Sequence, residues 1–381
     1  MMKKIKMILK IVAISGSGLL ALVLLVGLIF INTSKEFGGS ASEKQIEFYK
    51  TTGHFEEDQF QNLIPTSMDM GFFKSIEIMR EFAKETEGQF PTSDLPIEYV
   101  DSLTISKASP KANLITWFGH SAFLLEVNGK KILIDPMLGD VPAPHPWLGN
   151  GRFTKELPIS IEKLPKIDML IISHDHYDHL DYGSIQKLKT KVNDYYMPLG
   201  VGNHLRAWGI DSAKIHELDW WEEMENEGIK FICAPSRHFS GRGLFDRMST
   251  LWGSWIIQSD SLNIYFSGDG GYGPHFKEIG KRYGPFDFAM MECGQYNENW
   301  SEIHMMPEET AQAAIDVNAK WMMPIHWAAF KLALHSWTDP VDRLRIKAKE
   351  LDQKMLVPKI GQRINLSDLS TFQQEPWWEG I

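Results

Sequence analysis

One stretch limits what this chain can fold into more than any other: Ile171-Ile172-Ser173-His174-Asp175-His176-Tyr177-Asp178-His179-Leu180. It follows the mostly apolar run Ile167 to Ile172, which reads as a buried strand. Placing three imidazoles and two carboxylates in one turn is costly unless a cation compensates them. His174 and His176, two apart, are expected to grip one ion, while Asp178 and His179 come round the turn toward a second.

If two ions are held, four side chains are too few, because each ion needs about three protein ligands plus water. The second half of the chain offers three more, each after a strand-like run. They are His238 in Pro235-Ser236-Arg237-His238, Asp269 in Ser267-Gly268-Asp269-Gly270-Gly271, and His326 in Pro324-Ile325-His326-Trp327. A lone strand-end histidine is more often a capped surface residue, and Gly-Asp-Gly is most often a turn. Taken together they complete seven ligands, and Asp269 supplies the carboxylate able to bridge both ions.

The surrounding pattern is α/β. Leu114 to Trp117 is a short strand, and Phe123 to Val127 and Lys131 to Ile134 flank Asn128-Gly129, a pair suited to a two-residue hairpin turn. A Pro- and Gly-rich loop, 137–153, with His145 and Trp147, is expected to wall the site. Tyr182 to Lys191 reads as a helix capped by Asp181. A second series follows: strands over 230–234, 250–258, 262–267, 286–293 and 321–325, and helices over 274–282, 307–317 and 339–351. Strands then helices, twice over, predict two sheets packed face to face with helices outside.

The N-terminus departs from this composition. Lys3, Lys4, Lys6 and Lys10 precede an uncharged apolar run from Ile11 to Ile31, which as a helix spans roughly 32 Å, enough to cross a bilayer. A cleaved signal peptide is the rival, although its apolar region is usually shorter. The lysines predict a cytoplasmic N-terminus, with everything after residue 32 outside. No cysteine precedes Cys233, which excludes a lipid-modified cysteine here; Cys233 and Cys293 are expected to be buried free thiols. The expected organisation is a basic tail (1–10), a transmembrane anchor (11–31), a linker and N-terminal arm (32–112), the main domain (113–365) and a C-terminal tail (366–381). Within the arm, Phe72, Ile76, Met79 and Phe82 in the stretch from Met70 to Lys84 predict one apolar helix face. It either packs on the main domain or lies on lipid. With 39 basic against 49 acidic residues the net charge is −10, and no basic block follows residue 10, so nucleic acid is not an expected partner.

The pattern resembles the metallo-β-lactamase superfamily, whose His-x-His-x-Asp-His signature stands here as His174 to His179. Within it the chain is most similar to the N-acylphosphatidylethanolamine phospholipase D group and its bacterial relatives. That similarity rests on Thr116 to Ser121, Ser173 to Asp181, Leu218 to Trp221, Ser267 to Tyr272, His304 to Glu309 and Ile325 to Trp327. Phe60-Gln61-Asn62 and Pro65-Thr66 look like the arm that precedes the core in that group.

The resemblance implies an αββα sandwich holding two zinc ions, a cage that iron or manganese could also fill. His174, His176 and His238 would hold one ion, Asp178, His179 and His326 the other, and Asp269 would bridge. His304 matches a histidine near the substrate phosphate, and Tyr272 is taken as a second substrate contact. His120 and Asp135 are read as side chains that orient ligands. A bridging water whose pKa falls from about 15.7 toward 7 would supply the nucleophile. Asp178 and His304 are the expected catalytic side chains.

The activity so implied is a membrane-tethered phosphodiesterase acting on a phospholipid head group. A lactonase or another ester or amide hydrolase on the same metal pair is the alternative. A non-catalytic cell-surface metal-binding module is the reading from another class. A nuclease is disfavoured by the short stretch from Asp269 to His326 and by the acidic balance. Oligomeric state is left open.

Overall fold

A computed structural model describes residues 2–67, 71–84, 86–109 and 111–381. Thirteen strands form two facing sheets. The first runs, edge to edge, Arg363–Asn365, Leu114–Trp117, Phe123–Val127, Lys130–Ile134, Ile167–Ile171, Val192–Pro198 and Ile215–Leu218. The second runs Met322–Ile325, Phe288–Glu292, Asn263–Phe266, Ser254–Gln258, Ile229–Ala234 and Glu223–Asn226. Each sheet is antiparallel over its hairpins and becomes parallel in its later strands, which are joined by longer connections.

The central strands of both sheets are buried on both faces, which is why they read as nearly unbroken apolar runs. In the first, Phe123, Leu125, Ile132 and Ile134 face the opposite sheet, while Leu124, Leu133 and Leu170 face the helices Tyr182–Leu188 and Gly202–Ala207. In the second, Phe231, Trp255, Phe266 and Met290 point inward. Ile232, Ile256, Tyr265 and Met291 point toward His275–Tyr283, Pro307–Asp316 and Asp339–Glu350. Each fully buried aliphatic or phenyl side chain contributes about 1.5–3 kcal/mol. The result is the αββα sandwich expected from the element order.

Local chemistry sets the corners. Asn128 (φ 51°) and Gly129 (φ 72°) make the hairpin turn. Asp181 accepts from the Ser184 amide at 2.7 Å and starts the helix after the metal turn. Cys233 and Cys293 are free and buried.

Two expectations are corrected. First, the segment after the anchor is not a loose linker. The Trp208 indole donates to Lys35 O at 2.7 Å and the Arg242 guanidinium to Glu36 O at 2.9 Å. Tyr49, Phe55 and Phe60 join the inter-sheet core from the helix Glu43–Tyr49 and the hairpin Phe55–Glu56/Gln59–Phe60. Second, the arm helix runs Phe72–Phe82 and buries Ile78, while Phe73 and Met79 stay exposed. Its packed face is therefore offset from the predicted one; Met70 and the Phe72 side chain lie outside the described residues. Trp377 and Trp378 of the C-terminal segment are buried against Trp327.

The N-terminal helix is continuous from Met2 to Thr33, and its Ile14–Thr33 part is long and apolar enough to cross a membrane or to serve as a signal sequence.

Candidate metal centre

All seven predicted ligands meet at one end of the sandwich, where strands of both sheets finish. His174 to His179 follow the strand Ile167–Ile171, His238 follows Ile229–Ala234, Asp269 follows Asn263–Phe266 and His326 follows Met322–Ile325. His174 Nε2 lies 2.9 Å from His176 Nδ1, which is 3.3 Å from His238 Nε2. On the other side His326 Nε2 lies 3.0 Å from Asp178 Oδ2, and His179 Nε2 and His326 Nε2 each lie 3.1 Å from Asp269 Oδ2. Asp269 Oδ2 reaches the first group too, 3.9 Å from His174 Nε2 and 4.0 Å from His238 Nε2.

Partners behind the ligands fix which nitrogen points inward. His179 Nδ1 is 2.7 Å from Asp135 Oδ2, and Asp135 also accepts from the Ser173 amide at 2.7 Å. His238 Nδ1 donates to Ile303 O at 3.0 Å. His326 Nδ1 faces Glu292 Oε1 and Gly294 O, both at 3.3 Å. With those nitrogens committed outward, lone pairs converge inward, an arrangement that repels itself without a cation. Asp269 Oδ1 is buried and has no hydrogen-bond partner, which is a costly state for a carboxylate oxygen unless it too ligates an ion. Spacings near 3 Å match the edges of coordination shells with bonds of about 2.0–2.2 Å. The residues thus fit two metal ions.

Backbone geometry is specialised where these loops meet. His120 (φ 55°) and His326 (φ 67°) both take the left-handed region, linked by His326 N donating to His120 O at 3.2 Å. Gly268 (φ +57°) turns Asp269 inward in a space where a Cβ would meet Gly253 O at 2.7 Å.

Electrostatics follow from burial and proximity. Burial, with the neighbouring imidazoles, pushes His174 and His238 well below the ordinary histidine range and His120 to about 3. Burial opposes ionisation of Asp178 and Asp269, yet the imidazoles around them outweigh it and hold both carboxyls well below their usual value. His179 is raised in spite of its burial by Asp269, Asp178 and Asp135.

A cavity of about 310 Å³ opens over the cluster. Its polar floor is His176, Asp178, Asp269, His304 and His326, with Gln295 alongside; Ile78, Phe82, Phe239, Trp300, Ile303 and Leu332 form apolar walls. His304 sits on this floor with Nδ1 3.2 Å from Glu292 Oε1, which leaves Nε2 for the cavity. His120 Nε2 is 2.9 Å from Asp178 Oδ2, the orienting position expected of it. Tyr272 is not brought here: its hydroxyl donates to Asp316 Oδ2 at 2.5 Å in the outer helical layer, so the expected substrate contact is withdrawn. Nor does the 137–153 loop line this cavity through His145 or Trp147.

Glu292 joins this site although the sequence pattern did not single it out. Its carboxylate is fully buried between His304 and His326 and accepts from the Met305 amide at 3.0 Å. An acidic residue ending the apolar run Phe286 to Cys293 was the available sign. The arm matters here too: Asn62 accepts from the His238 amide at 3.1 Å and donates to its carbonyl at 2.8 Å.

Two mixed sheets ending in such a paired cluster define a metal-dependent hydrolase of the metallo-β-lactamase fold. The profile of the beta-lactamase superfamily domain matches residues 130–327, and the chain belongs to that superfamily. It is 37% identical over 333 residues to an uncharacterized protein of Mycobacterium tuberculosis, covering 85% of this chain and 87% of that one. It is 32% identical over 244 residues to N-acyl-phosphatidylethanolamine-hydrolyzing phospholipase D 1 of Caenorhabditis elegans, covering 60% of this chain and 68% of that one. The structure of isothiocyanate hydrolase from Delia radicum gut bacteria shares the fold, with a TM-score of 0.52 at 20% identity over 66% of this chain and 98% of that one.

Proposed function

We propose that the chain is a membrane-tethered binuclear zinc phosphodiesterase of phospholipase D type that acts on (N-acyl)phospholipid head groups. The observation that carries this reading is the cavity, whose polar floor holds the metal ligands and His304 while its walls are apolar. A phosphate head group with attached acyl chains uses both surfaces, whereas a small polar substrate leaves the walls unused. The likeness to the worm phospholipase supports the same reaction class. A ligand set dominated by imidazoles suits zinc, and iron or manganese could fill the same cage.

When bound, the ions supply Lewis acidity and acidify water to a pKa near neutrality. His174, His176 and His238 would hold one ion, Asp178, His179 and His326 the other, with Asp269 shared. Asp178 keeps some exposure to the cavity and is placed to accept a proton from the attacking water. His304, its Nδ1 committed to Glu292, presents Nε2 to the phosphate or to the departing alkoxide. The apolar helix tethers the domain to the surface where its substrate lies, with the N-terminus cytoplasmic and the domain outside.

The test is lipid mass spectrometry of total bacterial membrane lipids incubated with the protein, with and without zinc, beside Asp269→Ala. Zinc-dependent phosphatidic acid, absent with the variant, is expected. An unchanged lipid profile from protein shown to hold two metals would refute the reading and favour lactones or other carboxyl substrates. Asp178→Asn with full metal content and unchanged turnover would remove the role given to Asp178.

A further inference from the structure

The end of the apolar helix is joined to the domain by direct contacts. The Phe30 ring lies 5.5 Å from Phe37 and 6.3 Å from His145, and the His145 ring lies 5.2 Å from Trp147. Three residues past the helix end at Thr33, the Glu36 carbonyl accepts from Arg242, whose Nη1 also donates to Leu180 O at 2.8 Å. Arg242 therefore ties the loop 241–247 both to the exit of the helix and to the turn that carries the metal ligands. The two loops beside the exit each display an aromatic and a leucine to solvent. Trp147 is 73% exposed with Leu148 beside it, and Phe245 is 91% exposed with Leu244 beside it. Neither pair contributes to a hydrophobic cluster among the described residues.

We propose that Trp147-Leu148 and Leu244-Phe245 form a bilayer-docking surface that inserts into the membrane next to the anchor and fixes the domain's orientation. The partner is a lipid surface rather than a protein, because the patch adjoins a span long enough to cross a membrane and presents interfacial residue types at two separate loop tips. Docked this way, the catalytic domain does not swing on a flexible tether. The loop 241–247 reaches the cavity wall through Arg247, which lies 4.4 Å over the Phe239 ring. The cavity mouth is thus held beside the membrane surface. The inference rests on reading the 14–33 helix as an anchor, and is independent of which bond the site cleaves.

Site-directed fluorescence quenching tests it on the full chain. Cys233 and Cys293 are buried, so a single introduced cysteine labels selectively. Leu25→Cys, Trp147→Cys, Phe245→Cys and Asp260→Cys proteins, each carrying an environment-sensitive dye, would be reconstituted in phosphatidylethanolamine–phosphatidylglycerol vesicles containing a nitroxide lipid. Asp260 is exposed in the turn at the opposite end of the sandwich and serves as the reference. Strong quenching at 25, 147 and 245, with none at 260, is expected. Quenching at 25 but no more at 147 and 245 than at 260 overturns the docking surface alone. No quenching at 25 overturns the anchor reading and the docking surface with it. Neither result bears on the phosphodiesterase reading, which the lipid products test.

Discussion

Glu292→Gln is the substitution whose consequence the structure specifies most fully. One carboxylate oxygen faces two ring nitrogens, His304 Nδ1 at 3.2 Å and His326 Nδ1 at 3.3 Å, and the other accepts from the Met305 amide at 3.0 Å. An amide of the same shape cannot serve all three donors. With its oxygen toward the histidines its NH2 meets the Met305 N–H, and flipped it meets both imidazole N–H groups. Either way at least one buried donor loses its acceptor on this side chain, at about 1–3 kcal/mol, and the charge assistance of the remaining bonds, about 1.5–3 kcal/mol per bond to a charged group, is weakened. A net loss of about 2–4 kcal/mol in stability follows. With His326 in its proposed place as a ligand, zinc affinity should also fall by about 10–100-fold, the usual effect of losing a partner behind a metal-binding histidine. Urea denaturation and competition against a chromophoric chelator read the two quantities separately. Wild-type stability together with wild-type zinc affinity in Glu292→Gln would show that this carboxylate does not hold His304 and His326 in place.

Other outcomes follow from the same structure. His275 is buried beside Arg237 and its pKa is lowered to about 3, so it stays neutral in the fold while the unfolded chain takes up a proton below about 6.5. Its contribution is fully present above that pH and is lost at about 1.4 kcal/mol per unit as pH falls toward 3. His275→Phe should therefore shrink the stability difference between pH 7 and pH 5 by about 2 kcal/mol in paired denaturation curves. Trp378 packs on Trp327 and Trp377 and donates to Asp342 at 3.0 Å, so Trp378→Ala should cost about 3–5 kcal/mol, whereas a loose tail would show no change.

What could be read from the sequence depended on how many constraints fell within one short stretch. His174, His176, Asp178 and His179 share a single turn, so their purpose was visible before any fold was known. The strands were visible because burial on both faces makes continuous apolar runs, and Asn128-Gly129 announced its own turn. Glu292 was missed because one acid at the end of a strand looks like the strand's boundary; only its place between His304 and His326 distinguishes it. Tyr49, Phe55 and Phe60 come from separate short elements, so no period connects them and the arm read as linker. Tyr272 follows Asp269 on the same loop, but the chain has turned outward by then and the hydroxyl meets Asp316. Which face of the Phe72–Phe82 helix packs was hidden because few of its apolar residues are buried at all.

Seven side chains from both halves of the chain are expected to hold two ions with Asp269 between them. Metal titration with mass-spectrometric counting of bound zinc, on wild type and Asp269→Ala, tests it directly. Two ions per wild-type chain and one or none per variant chain are predicted. Saturation of the wild type at one ion, or a variant that retains two with undiminished affinity, would show that Asp269 does not join a pair of ions.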